Sequence, residues 1–552
     1  MKRQYVSLPP SDNRRGSALL AVLVIVAMLS LAAYTYSEVM LAEYEASIRT
    51  GLLTESRTLA DSGVDWTLSL VALKASEEPP DLFNNPDQFH QIVVQEGTEG
   101  RPVGYFSVVA PVDAPSSTAG VRFGLRNESA KLNLNALANS GLTEDEVRFF
   151  LMELPSMTES IADAILDWID ADTEARYFGA EAEAYANFYP PRKPKNAPLL
   201  SLDELLAVDG VTATLLYGED TNRNGLLDAN EDDAGVTEPF DNADGILDAG
   251  WSDYLTVTAR ESNLRLDGSP KIPLNTNTLT DLYDQLDEEF GEEVATFVVA
   301  YRIFGPSNRD EFDITPTGLA GGDFSDLSLE DQAILDDLAE GISDAIANGG
   351  QVTRNGMDLS SGGDFEIRSL YDLVDAEVEA QMEGGQQTLV SPWSSDSGSL
   401  SASFPVINEA FGVIDSPTIE GRINVNEARF ETLMGIPAMT EELASSIVSA
   451  GHQLASGRPN PDLAASRSTN CWLMVEGLVD LETMRLLDPY ITSGGDVLTA
   501  QVVGYFSRTG ISTRLKVMID ASESPPTLLS VGDYSRLGAG YSLFDWQQGT
   551  EE

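Results

Sequence analysis

SALLAVLVIVAMLSLAAY, residues 17–34, contains no charged side chain, and its reading decides what the rest of the chain can be. At about 1.5 Å per residue a helix of this length covers about 27 Å, close to a bilayer core of about 30 Å. Lys2, Arg3, Arg14 and Arg15 precede it against Asp12 alone. Basic residues on that side place the N-terminus in the cytoplasm and the remainder outside. The helical pattern continues beyond Tyr34. Leu41, Tyr44, Ile48 and Leu52, and later Val64, Leu68 and Val71, keep helical spacing, and no proline intervenes before Pro79. One helix is therefore expected over residues 17–75, membrane-spanning at its start and a stalk above. A cleaved secretory signal would show a small-residue site followed by a break; a plain signal anchor feeding a helical stalk is the simpler alternative.

The 552 residues carry 33 Lys+Arg against 89 Asp+Glu, a net charge of −56, with 42% hydrophobic residues. That is globular composition with room for about three domains. So acidic a surface repels phosphate backbones and excludes nucleic acid as a partner. Cys471 is the one cysteine, so no intrachain disulfide can form, and His90 and His452 leave little material for zinc. Strand-like runs at Gln91–Val94, Tyr105–Val109, Val121–Leu125, Tyr254–Thr258, Gln501–Ser507 and Thr513–Ile519 flank a mostly helical middle. They read as antiparallel strands. The expected class is α+β: a long N-terminal helix, a small antiparallel sheet and a large inserted helical domain of repeated hairpin-like units. The expected divisions are a leader at 1–16, helix at 17–75, strands at 76–126 and helical regions at 127–270 and 271–383. A linker at 384–417, rich in Gly, Gln and Ser at its start, then leads to a third helical region at 418–500, strands at 501–521 and a tail at 522–552.

Three segments repeat one theme: Lys131-Leu132-Asn133-Leu134-Asn135, Lys271-Ile272-Pro273-Leu274-Asn275-Thr276-Asn277, and Arg422-Ile423-Asn424-Val425-Asn426. Each opens a helical stretch, where Asn serves as an N-cap, so these pairs read as fold-forming. Leu200–Leu206 and Arg368–Val374 form a further matched pair. The hairpin at Met434–Thr440 has the outline of a helix-hairpin-helix DNA binder, but Glu441 and Glu442 follow it, the wrong charge for phosphate.

Asp220-Thr221-Asn222-Arg223-Asn224-Gly225-Leu226-Leu227-Asp228-Ala229-Asn230-Glu231 matches a twelve-residue calcium loop. Oxygen side chains stand at positions 1, 3, 5 and 9, glycine at 6, and a potentially bidentate Glu231 at 12, while Leu226 offers its carbonyl. The expected ligands are Asp220, Asn222, Asn224, Leu226, Asp228 and Glu231. A second acidic run offers Asp241, Asp244 and Asp248, but Phe240 and Trp251 fall where a full loop needs oxygen ligands. Asp163, Asp167 and Asp170 share one helix face, expected to be solvated, with contact to a metal or a basic partner as the alternative. There is no Gly-x-Ser-x-Gly, His-Glu-x-x-His, phosphate loop or Cys-x-x-Cys, so no enzyme is expected.

Glu128–Asn135, Asp167-Trp168-Ile169-Asp170-Ala171-Asp172, Gly179-Ala180-Glu181, Tyr185 and Asn196–Leu205 occur in an order similar to the K-type minor pseudopilins of type II secretion systems. The basic leader ending in Gly16 and running into the apolar helix resembles a type IV prepilin N-terminus. The resemblance implies cleavage by prepilin peptidase between Gly16 and Ser17, methylation of the new terminus, and a single inner-membrane pass with the bulk of the chain in the periplasm. It further implies calcium binding in the helical domain and other minor pseudopilins as partners at a filament tip. Most such subunits carry glutamate five residues after the cleavage point; Ala21 stands there. Its lack is a habit of the K type, since a capping subunit has no neighbour above it to register. The alternative is a membrane-anchored, calcium-dependent extracytoplasmic binding protein with no filament role. Substituting Gly16→Leu is expected to block removal of residues 1–16 while membrane insertion persists, read by N-terminal sequencing of protein from cells with active prepilin peptidase.

Overall fold

The computed structural model describes residues 15–542 apart from 75, 77–78, 99–100, 112–119, 141, 239–240, 242, 249, 309–352, 361, 456–460 and 508. Most of the expected leader, part of the second helical region, the end of the tail and the side chain of His452 lie outside the described residues.

Helix α1 (Arg15–Val71) is continuous. Its apolar residues Leu19 to Leu31 are exposed, and it is long and apolar enough to cross a membrane. Farther along, Ser56, Leu59, Ala60, Val64, Thr67, Leu70 and Val71 are buried, steps of three and four that place them on one face. That face lies on an antiparallel sheet. Its strands are β1 (Ile92–Gln95), β2 (Gly104–Pro111), β3 (Val121–Arg122), β4 (Arg126–Asn127), β5 (Val497–Phe506), β6 (Ser512–Asp520) and β7 (Thr527–Asp533). The order is β1-β2-β5-β6-β7, with β3 on β2 and β4 on β5. Ala60, Val64 and Val71 pack with Phe106, Val108, Val502, Leu515 and Val517. The helix comes so close to β5 that a Cβ at Gly504 would lie 2.3 Å from the Ser56 carbonyl oxygen. Ser56 and Thr513 hydroxyls bond at 2.7 Å, and Arg57 pairs with Asp533 at 2.9 Å.

Everything between β4 and β5 is an insertion, and it is built three times. Each unit opens on a two-residue strand that pairs in parallel with a strand closing the same unit. Leu132-Asn133 pairs with Leu255-Thr256, Ile272-Pro273 with Phe411-Gly412, and Ile423-Asn424 with Ile491-Thr492. Tyr254–Thr258, expected as antiparallel, therefore belongs to a parallel closure. Two residues after each opening strand begins its second position, one asparagine spans the unit. Asn135 Nδ2 donates to Leu199 O (2.9 Å) and Val257 O (2.8 Å), while its Oδ1 accepts from Leu199 N (2.8 Å). Asn275 does the same with Ile367 O, Val413 O and Ile367 N at 2.8, 2.8 and 2.9 Å. Asn426 Nδ2 donates to Arg467 O (3.0 Å) and Ser493 O (2.7 Å), but its buried Oδ1 has no partner. Pro273 takes the place of the first asparagine in the second unit, so the repeated residue there is Asn275 alone. Asn277 is exposed.

The matched segments found in the sequence fold alike. Ser201 and Ser369 each start a 3-10 helix with a capping box, closed by Glu204 and Asp372. Helix pairs Glu144–Met152 with Glu159–Ile169, Leu279–Phe290 with Glu292–Phe304, and Phe430–Met434 with Glu441–Ala455 fill the three units around one apolar core.

Two expected boundaries are corrected. Residues 384–417 are not a linker. Gly385–Val390 pairs with Glu377–Met382 in a hairpin, and the helix Ser397–Ala410 buries Leu400, Phe404 and Ile407. Its polar residues are the exposed faces of amphipathic elements, which composition alone cannot separate from a solvated linker. The tail from residue 522 likewise contributes β7 to the sheet edge.

Removing the Asn135 or Asn275 carboxamide strands two carbonyls and an N–H that its loss leaves without partners. Asn135→Ala and Asn275→Ala should each lower stability by about 2–4 kcal/mol in chemical denaturation of the purified protein. Asn277→Ala should stay within about 0.5 kcal/mol.

Candidate metal centre

The chain leaves the first unit at Tyr217, where the short helix Ala213–Tyr217 ends, and returns at Gly250 before Trp251 packs into the core. Glu219 N donates to Asp248 O (3.0 Å) and Asp248 N to Glu219 Oε2 (3.2 Å), which pinches the base of an acidic excursion. The twelve-residue loop occupies its first half. Asp220 Oδ1 accepts from Asn224 N (3.0 Å) and Oδ2 from Gly225 N (2.8 Å), with the turn at Gly225 (φ 72°). Glu231, 2% exposed, folds back over the loop. Its Oε1 accepts from the Thr221 N–H and hydroxyl, both 2.9 Å, and its Oε2 from Asp228 N (3.1 Å). Asp228 Oδ2 gathers the side-chain amides of Asn222 and Asn224. The expected ligands Asp220, Asn222, Asn224, Asp228 and Glu231 are thus brought together, with Leu226 in the same turn. Arg223 turns away, its guanidinium 3.8 Å from the Tyr217 ring centroid.

This donor set fits a hard divalent cation. The Oδ1 of Asn222 is buried with no hydrogen-bond partner among the described residues, an acceptor that a cation would satisfy. Asp220 is pushed up to about 7, first by burial and then by the charges of Asp253 and Glu231. A cation beside the buried Asp220 carboxylate would offset the cost of its charge.

The second acidic run gathers around a residue absent from the sequence reading. Glu219 is 4% exposed, and burial, with Asp248, Asp241 and Asp244 as further repulsive charges, pushes it up to about 7. Asp241 accepts from Ala243 N (3.2 Å) and Asp244 from Ile246 N (2.8 Å), so both carboxylates shape their own turns. Only the chain's return at Gly250 brings Glu219 to them, and no spacing rule shows that.

The expected solvated face of Asp163, Asp167 and Asp170 is corrected. Asp163 and Asp167 have fully buried side chains, paired with Arg148 (2.8 Å) and Arg176 (2.7 Å). Their arginines come from a neighbouring helix and a following loop, so the helical pattern alone reads as an acidic surface. Asp170 also pairs with Arg176 and in addition meets Asp172 and Glu181, the three offering carboxylate oxygens within 4.8 Å of one another. Asp170 Oδ1 and Asn196 Oδ1 beside them are buried without partners. Glu181 is pushed up by burial and by Asp167, Asp170 and Asp172. This is a second oxygen-rich cluster: Asp170 comes from the acidic helix face, and Asp172 and Glu181 join it from the segment that follows. His90 stacks on Phe123 at 4.0 Å, and Cys471 is buried against Thr469.

Residues 130–217 match the family model for the first domain of type II secretion system protein K. The match ends at Tyr217, so the acidic excursion lies just beyond it. The type II secretion system protein K of Aeromonas hydrophila is 28% identical over 225 residues, 38% of this chain and 62% of that protein. The Dickeya chrysanthemi protein of the same name is 39% identical over 70 residues, 13% of this chain and 19% of its own length. The chain thus spans less than two thirds of these relatives. A crystal structure of the GspK-GspI-GspJ complex from enterotoxigenic Escherichia coli aligns over 87% of this chain and 96% of that one. Its identity is 10% and its TM-score 0.31, too low to equate the two folds.

The raised carboxylates fix a pH dependence. Asp220 and Glu219 keep protons in the folded head that the unfolded chain releases near pH 4, so without metal stability is lost as pH rises from about 4 to about 7. In EDTA the Tm should fall by several degrees between pH 5 and pH 8, and millimolar Ca²⁺ should raise it more at pH 8 than at pH 5. Glu231→Gln should lose most of the Ca²⁺-dependent rise and Arg223→Ala should keep it, as read by thermal melts.

Proposed function

We propose that the chain is a minor pseudopilin of K type that sits at the tip of a type II secretion pseudopilus and acts in protein export across the outer membrane. The observation that carries this is one chain holding both a protein K domain and α1, which runs from an exposed apolar span directly into the face of an antiparallel sheet. A filament subunit needs that continuity, because its helix packs in the rod while its sheet displays the head. Ala21 favours the end position, since no carboxylate is there to seek a partner in lipid. So does the bulk inserted between β4 and β5, which has no room inside a close-packed rod.

Prepilin peptidase would cut between Gly16 and Ser17, a bond in the first turn of α1, and the new terminus would be methylated. The span would cross the inner membrane with the head in the periplasm, and the partners would be other minor pseudopilins of the tip complex. The chain's role is structural and not enzymatic. Its ion would be Ca²⁺, held by Asp220, Asn222, Asn224, Asp228 and Glu231 with the Leu226 carbonyl. When free Ca²⁺ is a hundredfold above Kd, binding stabilises the head by about 2.7 kcal/mol. Further ions would be held at Asp170, Asp172 and Glu181, or at Asp241, Asp244 and Asp248 with Glu219.

Deletion of the gene should abolish secretion, and immunogold labelling of native filaments should mark one end. Label along the length at major-subunit stoichiometry, or secretion that survives the deletion, would overturn the reading.

A further inference from the structure

The calcium loop is bound on its outer side by parts of the molecule remote in sequence. Three successive carbonyls are taken by three side chains from the sheet and the chain end. Arg514 of β6 donates to Asn222 O, Gln501 of β5 to Arg223 O (2.7 Å), and the Tyr541 hydroxyl to Asn224 O (3.3 Å). In return, Asn224 Nδ2 donates to Gly540 O. Asn224 is fully buried. Its Oδ1 accepts from Leu226 N (2.7 Å) and its Nδ2 donates to both Asp228 Oδ2 (3.0 Å) and Gly540 O, so one carboxamide ties the loop's own carboxylate to the C-terminal segment.

The segment after β7 is shaped for this seat. Tyr534 N donates to Arg514 O (2.9 Å), and the chain then turns at Gly538 (φ 97°) and Gly540 (φ 73°). A Cβ at Gly540 would lie 2.0 Å from Arg514 Nη1, so only glycine fits there. Tyr541 is 7% exposed and packs with Val109, Val503 and Tyr505, with Leu226 of the loop against the same cluster. This is the sheet face opposite α1. Arg514 has no solvent exposure, and its Nε and Nη1 lack partners among the described residues. A divalent ion together with Arg514 balances the charges of Asp220, Asp228 and Glu231; without the ion the loop keeps a net negative charge in a buried place.

We propose that the calcium loop is a lock for the C-terminal segment Tyr534–Tyr541. The ion-closed loop forms half of the seat that holds this segment, and loss of the ion releases it and uncovers the apolar strip of Val109, Val503 and Tyr505. The proposal rests on the reading of residues 220–231 as a calcium loop.

Hydrogen–deuterium exchange on the full chain in detergent tests it, with ion occupancy followed separately by terbium luminescence and calorimetry with Ca²⁺. With Ca²⁺ bound, amides of 534–541 should be protected, and EDTA should speed their exchange about tenfold or more. Glu231→Gln should show fast exchange in both conditions. Gly540→Val should leave the segment fast with Ca²⁺ present while terbium and Ca²⁺ still bind, and Tyr541→Phe should give an intermediate rate. A loop that binds the ion while exchange of 534–541 ignores it overturns the lock alone. Absence of terbium and Ca²⁺ binding overturns the calcium reading and the lock with it.

Discussion

One carboxamide per unit holds the insertion together. A two-residue strand pair is too short to fix its own register. Each unit's opening and closing strands touch over only two residues, far apart in the chain. The asparagine just beyond the opening strand ties three segments at once: its own, the turn before the 3-10 helix, and the residue after the closing strand. Leucine or alanine could fill the space but could not satisfy the carbonyls that converge there. The helices can therefore vary in length, and the second unit can carry a hairpin and an extra helix, while the closure stays the same. The third unit shows the limit of the scheme. Arg467 N turns to Leu463 O, and Asn426 keeps two of the three bonds.

The sequence displayed those asparagines without displaying their job. The spacing of the three segments was legible, as was the long N-terminal helix with its apolar start, because both are local patterns. Asn beside a helix start reads as an N-cap, and Asn133 does cap the helix after it. Asn135 does something that pattern cannot show, since its partners are 64 and 122 residues away. The acidic helix face failed for the same reason: Asp163 and Asp167 look solvated until Arg148 and Arg176 arrive from other elements. The acidic loop at 220–231 was legible as a unit because its oxygen-bearing side chains lie within twelve consecutive positions. Glu219 was not, being brought to Asp241, Asp244 and Asp248 only when the excursion closes on itself.

Charge explains much of the remaining architecture. With so large an acidic excess, each buried carboxylate must find an arginine, a backbone amide or a cation, and the arginines are correspondingly buried: Arg302, Arg467 and Arg514 have almost no exposure. Arg302 holds Asn275 and the turn at Phe365, and Arg467 pairs with Glu476. Several of the few cations thus lie inside, where they order the junctions between segments. So large an acidic excess makes copies of the chain repel one another.

The insertion begins and ends at hydrogen-bonded neighbours, because Asn127 of β4 lies opposite Leu498 of β5. Topologically the head hangs from a single port between two adjacent strands. Closing that port with a tight turn costs little chain entropy, and neither α1 nor the β1-β2-β5-β6-β7 ladder passes through it. In chain topology the insertion and the sheet are thus separable: units can be gained, lost or exchanged at the port without breaking a rung of the ladder.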